Sequence, residues 1–416
     1  MSNSRTVEMI EGSDKFNEQF VTAIRTLRRI AIYMGIWPEK KHEKLCNLLW
    51  YYNSTNLVFM NFGLMCNAIR VRDDMNKVIS TISVASGVMY IMVKWFTFSS
   101  HKVLIRKLVY MMNEDWTSLE NNTLIPESVP DSKRLMLKYY RVLNIYVYTV
   151  LTVMVCGNAN FVITFVVATN HRDNNTDLDN LLPVIHSWYP GVDYDRAYII
   201  GFLAAAQIMS MIAVIVGNTV VDGFFVITVL NTTAQIEILG IFIEQMKYNS
   251  LDPECNKTNI QEVVKRHQVL LSVANNIQEC FGAIAFQRVS ISLVGICFSA
   301  HVFLRELQNV GEGNAAALKY GFTFLAALGN VFAYCSVSDT LATESLAIGT
   351  HVYNSEWYNA TSSAKLSLSI LMIKASRPMI ITAAKIFPLT MENFTVIIKS
   401  IASYISALRA FSVSHV

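Results

Sequence analysis

The stretch Phe394-Thr-Val-Ile-Ile-Lys-Ser-Ile-Ala-Ser-Tyr-Ile-Ser-Ala-Leu408 decides how the rest of this chain is read. It sits in an apolar segment, about 391–411, long enough to cross a hydrocarbon core of about 30 Å as a helix. Steps of three and four residues put Val396, Ser400, Ser403, Ala407 and Phe411 on one helical face. Ile397, Ile398, Ile401, Ile405 and Leu408 fall on the other. A small, semi-polar stripe beside a bulky apolar one fits a helix that faces water on one side. It also fits a helix packed through small residues against a neighbour. Lys399, in mid-segment, lies about 100° around the helix from Ser400, which suits a snorkelled or helix-interface position.

Working outward, the whole chain has the composition this segment implies. It is 53% hydrophobic and 16% charged, against roughly 25% charge in an average soluble chain. Further apolar windows lie at about 46–69, 78–99, 142–168, 197–229, 281–304 and 316–337, for seven in all. None shows the alternation of barrel strands. The expected fold class is therefore all-α: a polytopic membrane protein with seven transmembrane helices in one membrane domain. The first and last windows are the weakest, because Asn53, Ser54 and Asn56 interrupt one and Lys399 the other. The third and fourth exceed the bilayer and should project beyond it.

Orientation follows from the basic residues. With a cytosolic N-terminus, the inner segments 1–45, 100–141, 230–280 and 338–390 hold 23 of the 34 Lys and Arg. Seven spans then place the C-terminus outside. Residues 1–43 contain Arg25, Arg28, Arg29, Lys40 and Lys41 without an early apolar run, so no signal peptide is expected. That orientation inverts the arrangement of a G-protein-coupled receptor, whose Asp-Arg-Tyr and Asn-Pro-x-x-Tyr motifs are also absent.

The inner segments read as structured. Residues 259–280 carry a helical apolar pattern that could run into the fifth span, and 338–350 extend the sixth in the same way. Residues 362–375 form a short helix ending near Arg377-Pro378. Together, 230–280 and 338–390 are expected to build a cytosolic anchor of helices.

No H-E-x-x-H, C-x-x-C or G-x-S-x-G motif supports metal or serine chemistry. No cofactor or metal is expected, and the chain is read as no enzyme. A net charge of +3, spread over inner segments, gives no nucleic-acid patch. Asn174, in the Asp-rich outer loop, is the expected glycosylation site.

The C-terminal third resembles the insect odorant receptor family. The resemblance rests on Cys335, Asp339-Thr-Leu341, Glu344-Ser345, Tyr353 and Trp357-Tyr358. It continues through Arg377-Pro378, Thr382-Ala383, Phe387, Leu389, Phe394, Ile398-Lys399, Ser403-Tyr404 and Leu408. Lys94 and His267-Gln268 fit as well. The resemblance implies a ligand-tuning subunit of an odorant-gated, non-selective cation channel of four subunits, assembled with a shared co-receptor in the plasma membrane of a sensory neuron dendrite. The last span would line the pore with the Val396 to Phe411 face, and the family's gate positions correspond to Ala407 and Phe411.

The family's pocket lies in the outer halves of the second, third, fourth and sixth spans. Those halves supply Ser83, Gly87, Tyr90, Thr152, Cys156, Asn160, Gln207, Met211, Tyr320 and Phe324. Such an apolar, aromatic and thioether lining implies a small volatile or lipid-like ligand. A gustatory-type receptor would have the same architecture. A secondary transporter, the alternative of a different class, would predict related halves and span-interrupting Gly or Pro breaks, neither of which the sequence shows.

Overall fold

A computed structural model describes residues 16–37, 42–120, 129–170, 187–194, 196–248, 253–308 and 314–413. They are almost wholly helical. In chain order the helices are α1 (Glu18–Ala23), α2 (Arg25–Met34), α3 (Glu43–Arg70), α4 (Met75–Ser100), α5 (Lys102–Glu120) and α6 (Val129–Asn170). They continue with α7 (Ala197–Gln245), α8 (Pro253–Gln308), α9 (Asn314–Asn354), α10 (Ser362–Ala375) and α11 (Met391–Val413). A 3-10 turn at Trp357–Asn359 precedes α10, and strands β1 (Thr382–Ala383) and β2 (Phe387–Pro388) form a small antiparallel hairpin before α11.

Local chemistry explains several boundaries. Asn17 Oδ1 accepts hydrogen bonds from the backbone N–H groups of Gln19 and Phe20, capping α1. Gly35, at φ 76°, ends α2 in the left-handed conformation that favours glycine. Pro130 and Pro253 sit in the first turns of α6 and α8, where a missing N–H costs nothing. Thr361 caps α10, which falls where the sequence placed a short helix. Two long helices also fall where expected: α8 carries the 259–280 pattern onward without a break, and α9 runs past residue 350.

Among the described residues, four stretches are long and apolar enough to cross a membrane: Asp131–Ala159, Tyr198–Gln245, Lys257–Cys297 and Phe324–Asn354. The α3 helix is not among them, although its 28 residues suffice in length. Its interior asparagines lower its hydropathy.

The chain divides into two compact units. The first comprises residues 1–107 and 142–224. Its core joins Leu57, Met60 and Leu64 of α3 to Ala85 and Val88 of α4 and to Ala204, Met211 and Ala213 of α7. The asparagines that weaken α3 as an apolar span tie it to its neighbours. Asn61 Nδ2 donates to the Ala85 carbonyl at 3.1 Å and Asn67 Nδ2 to Thr81 Oγ1 at 3.3 Å. Asn53 Nδ2 donates to the Tyr33 carbonyl at 3.1 Å. In a membrane, side-chain amides of this kind act as interhelical glue.

The second unit comprises residues 108–141 and 225–416. Phe225 stacks on Tyr334, with ring centroids 4.3 Å apart, and meets Phe281 edge-on at 5.6 Å. The same unit holds a polar network. Arg266 Nη2 donates to Asp115 Oδ1 at 2.5 Å and to Gln235 Oε1 at 2.6 Å. Asn231 Nδ2 donates to the other Asp115 oxygen at 2.8 Å, and Tyr140 donates its O–H to Asn231. Both carboxylate oxygens are therefore satisfied, which is what burial of a charge requires.

Candidate functional site

Two constellations carry the sequence-predicted residues, one in each unit. In the first unit, Gln207 and Met211 stand one turn apart on α7, and both are buried. Met211 belongs to the core shared with α3 and α4. Gln207 Nε2 donates to Ser187 Oγ at 2.6 Å, so the amide of α7 is pinned to the segment that precedes the helix. That segment is itself docked on α3: Trp188 N–H donates to the Gly63 carbonyl at 3.0 Å, and Tyr189 stacks on Phe59 at 4.4 Å. A Cβ on Gly63 would collide with the Tyr189 ring, so only glycine admits that stack. Burial pushes the Tyr189 phenol above its ordinary pKa.

Tyr90 on α4 is half-buried, and the Lys94 ammonium lies 5.7 Å from its ring centroid. Lys94 is 1% exposed, and its Nζ donates to Asp222 Oδ1 at 2.6 Å and to Asn218 Oδ1 at 2.8 Å. Asp222 and Asn218 are four residues apart on one face of α7, so a single ammonium engages both. The family resemblance singled out Lys94, but neither partner was evident from the sequence. An aspartate inside an apolar helix was the signal that could have found them.

The remaining pocket candidates are placed as follows. Gly87 is exposed on α4, with open space where a side chain would project. Thr152 and Cys156 are exposed on α6, and the Thr152 hydroxyl donates to the Tyr148 carbonyl of its own helix. Phe324, in the second unit, is half-buried on α9. Ser83, Asn160 and Tyr320 lie on helices, but their side chains are outside the described residues; Asn174 is wholly outside them. Gln207, Met211 and Tyr90 are thus the candidates with a described, at least half-buried setting in the first unit. Of these, Met211 packs in the core that α3 shares with α4 and α7.

The second constellation is α11. Val396 is 53% exposed and Ser400 and Ser403 are exposed, whereas Ile397 and Ile401 are each 6% exposed. Lys399, Ala402 and Tyr404 are exposed along with Val396, Ser400 and Ser403. The side chains of Ala407 and Phe411 lie outside the described residues.

The start of α11 is held by residues on which the family resemblance rested. Asp339 Oδ1 accepts from the Met391 N–H at 3.2 Å, and Phe394 meets Phe332 edge-on at 5.5 Å. Ser345 Oγ accepts from the Met379 N–H at 2.9 Å. Gln278 on α8 clamps the hairpin at both ends of one residue, accepting from Thr382 N–H at 2.7 Å and donating to its carbonyl at 2.9 Å. Ala384 N–H adds a bond to the Gly282 carbonyl at 2.8 Å. A short polar linkage therefore fixes where α11 begins.

Comparison with known proteins adds the family context. A family model described as 7tm Odorant receptor matches residues 74–402. Odorant receptor 82a of Drosophila melanogaster is 22% identical over 203 residues, 49% of this chain and 51% of that protein. Odorant receptor 47a of the same species is 24% identical over 236 residues, covering 55% and 58%. The odorant receptor coreceptor of Aedes aegypti is 24% identical over 152 residues, 36% of this chain and 31% of that one. The chain thus spans about half the length of the first relatives it matches. The solved structure of the olfactory receptor OR5 from Machilis hrabei aligns with a TM-score of 0.74 at 15% identity, covering 94% of this chain and 98% of that one. A second structure of that receptor, in complex with eugenol, aligns equally well over 95% and 100%. At that identity the likeness is one of fold.

Proposed function

The chain belongs to the 7tm odorant receptor family, and on that premise we propose that it is the odorant-binding subunit of a ligand-gated, non-selective cation channel. The observation that carries the reading is the match of the family model across residues 74–402, which takes in the candidate pocket of the first unit and the first half of α11. The partner is an odorant co-receptor, in keeping with the similarity to the Aedes aegypti coreceptor. The ligand is a small, largely apolar molecule; the eugenol bound by the Machilis hrabei receptor is of this class. Tyr90 and Met211 supply aromatic and thioether surface, and Gln207 a single polar handle.

The proposed topology has seven spans, a cytosolic N-terminus and an outer C-terminus. The excess of Lys and Arg in segments 1–45, 100–141, 230–280 and 338–390 supports it. Those last two segments form a cytosolic anchor, and the protein resides in the plasma membrane of an olfactory neuron. The exposed Val396, Ser400 and Ser403 face of α11 lines the pore, and apolar side chains at Ala407 and Phe411 close it by excluding water. Odorant favours the state in which this helix has moved and the ring at Phe411 is wider.

Expression with the co-receptor, under voltage clamp, tests the proposal. The wild-type pair should give an odorant-evoked cation current. Phe411→Ala should raise the current that flows without odorant, at unchanged surface expression. A silent wild-type pair would overturn the channel reading. Unchanged basal current in Phe411→Ala would remove Phe411 as the gate.

A further inference from the structure

Away from the odorant pocket, the first unit holds a cavity of about 210 Å³ beside the start of α3. Its floor is the turn after α2. A Cβ on Gly35 would collide with the backbone of Cys46 and Trp50, so glycine lets the turn lie flush against α3. Trp50 forms one wall, its indole N–H fixed by a 2.9 Å bond to Ser99 Oγ, and the buried Phe98 closes the inner side. The rim is polar and basic. Lys102 lies there exposed, its Nζ 3.4 Å from the neutral amide oxygen of Asn47.

Three features select the occupant. The volume falls below the roughly 300 Å³ at which sites for whole drug-sized molecules begin, so the cavity holds only part of a molecule. An exposed apolar face leads away from it along α3, through Tyr51, Val58 and Phe62 at helical spacing. Lys102 brings a positive charge to the rim, and it is followed on α5 by Lys107 and by Arg106, which pairs with Glu43 at 4.0 Å. Tryptophan and tyrosine beside lysine and arginine mark the cytosolic membrane interface, where basic pockets between spans take anionic lipid head groups.

We propose that this cavity takes the phosphate-bearing head group of an anionic phospholipid, with its acyl chains lying along the exposed face of α3. The assignment to the cytosolic leaflet rests on the orientation proposed above. The cavity's own chemistry does not.

The test uses the purified full-length chain in nanodiscs of phosphatidylcholine, with brominated phosphatidylserine or brominated phosphatidylcholine as quenchers of tryptophan fluorescence. Brominated phosphatidylserine should quench more strongly. The excess should vanish in Trp50→Phe. Lys102→Gln should raise the fraction of phosphatidylserine needed for half-quenching about fivefold, one basic residue's share at an anionic surface, while Lys102→Arg should leave it unchanged. Position 102 is exposed, so neither substitution threatens the fold.

Equal quenching by the two lipids would overturn the proposal, as would an excess that survives Trp50→Phe or Lys102→Gln. Displacement of the excess by soluble glycerophosphoserine would show a site for the free phosphodiester and overturn the lipid assignment. Phosphatidylserine occupies both leaflets of the disc and no odorant or current is measured. An error in orientation or in the gating reading would therefore leave the quenching result intact.

Discussion

The α3 and α11 helices share a weakness and resolve it in opposite ways. Both are interrupted by polar residues where a membrane span is expected to be apolar. In α3 the polar side chains turn inward: Asn53, Asn61 and Asn67 are buried, and their amides donate to Tyr33, Ala85 and Thr81. In α11 they turn outward: Lys399, Ser400 and Ser403 are exposed, while Ile397 and Ile401 fill the packed side. Mean hydropathy cannot separate the two cases, because it discards direction. Inward polar groups hold a helix in place. Outward ones leave a face free for other work, which here is read as contact with the ion path.

The comparison is broken most severely at Lys94. It is the extreme inward case, a fully buried ammonium whose carboxylate partner, Asp222, has no exposed side-chain surface. Lys94→Met removes one charge and strands the other, and should cost about 3–5 kcal/mol. Thermal unfolding of the purified receptor should show a large loss, with little protein reaching the cell surface. The double variant Lys94→Met, Asp222→Leu should recover most of it, since a buried pair and an apolar replacement are often close in energy. Full stability in the single variant would mean that the pair holds nothing.

How much of this was legible beforehand depended on whether the signal was local. Periodicity and caps are local, so α10 and the long helices α8 and α9 fall where the sequence placed them. The hairpin at 382–388 escaped notice because two-residue strands have no period to read. Its turn also runs through Ala384 and Lys385 at φ 51° and 60°, where glycine or asparagine would have flagged it. The partners of Lys94 lie 124 and 128 residues away and leave no trace in the local pattern. The part of α3 in the core is hidden in the same way: it appears only once Leu57, Met60 and Leu64 are seen against α4 and α7. The roles of Asp339 and Ser345 were equally hidden, since each accepts from a backbone N–H more than thirty residues on.

A milder intervention sharpens the inward half of the comparison. Asn61→Leu keeps the volume of the side chain near its present value and deletes one interhelical bond, to the Ala85 carbonyl. Bonds of this kind in membrane proteins average about 0.6 kcal/mol and reach about 1.7. The melting temperature should fall measurably, with odorant response retained. If Asn61→Leu instead raises stability, α3 is held by packing alone and its amides are incidental.

The outward half predicts the smallest change in stability and a different readout. Ser400 donates only to the Val396 carbonyl of its own helix, at 2.9 Å, a bond that stabilises no partner element. Ser400→Ala should therefore leave the melting temperature within about 0.5 kcal/mol of wild type, as for an exposed substitution. Ser400→Glu should be similarly tolerated by the fold, yet a carboxylate on a pore-lining face draws cations and repels anions. Single-channel conductance at low ionic strength should rise, and the increase should fade as salt screens the new charge. Unchanged conductance with unchanged stability would leave the exposed face of α11 away from the ion path. A large loss of stability would instead show that face to be packed against another helix, which makes α11 a second case of what α3 does.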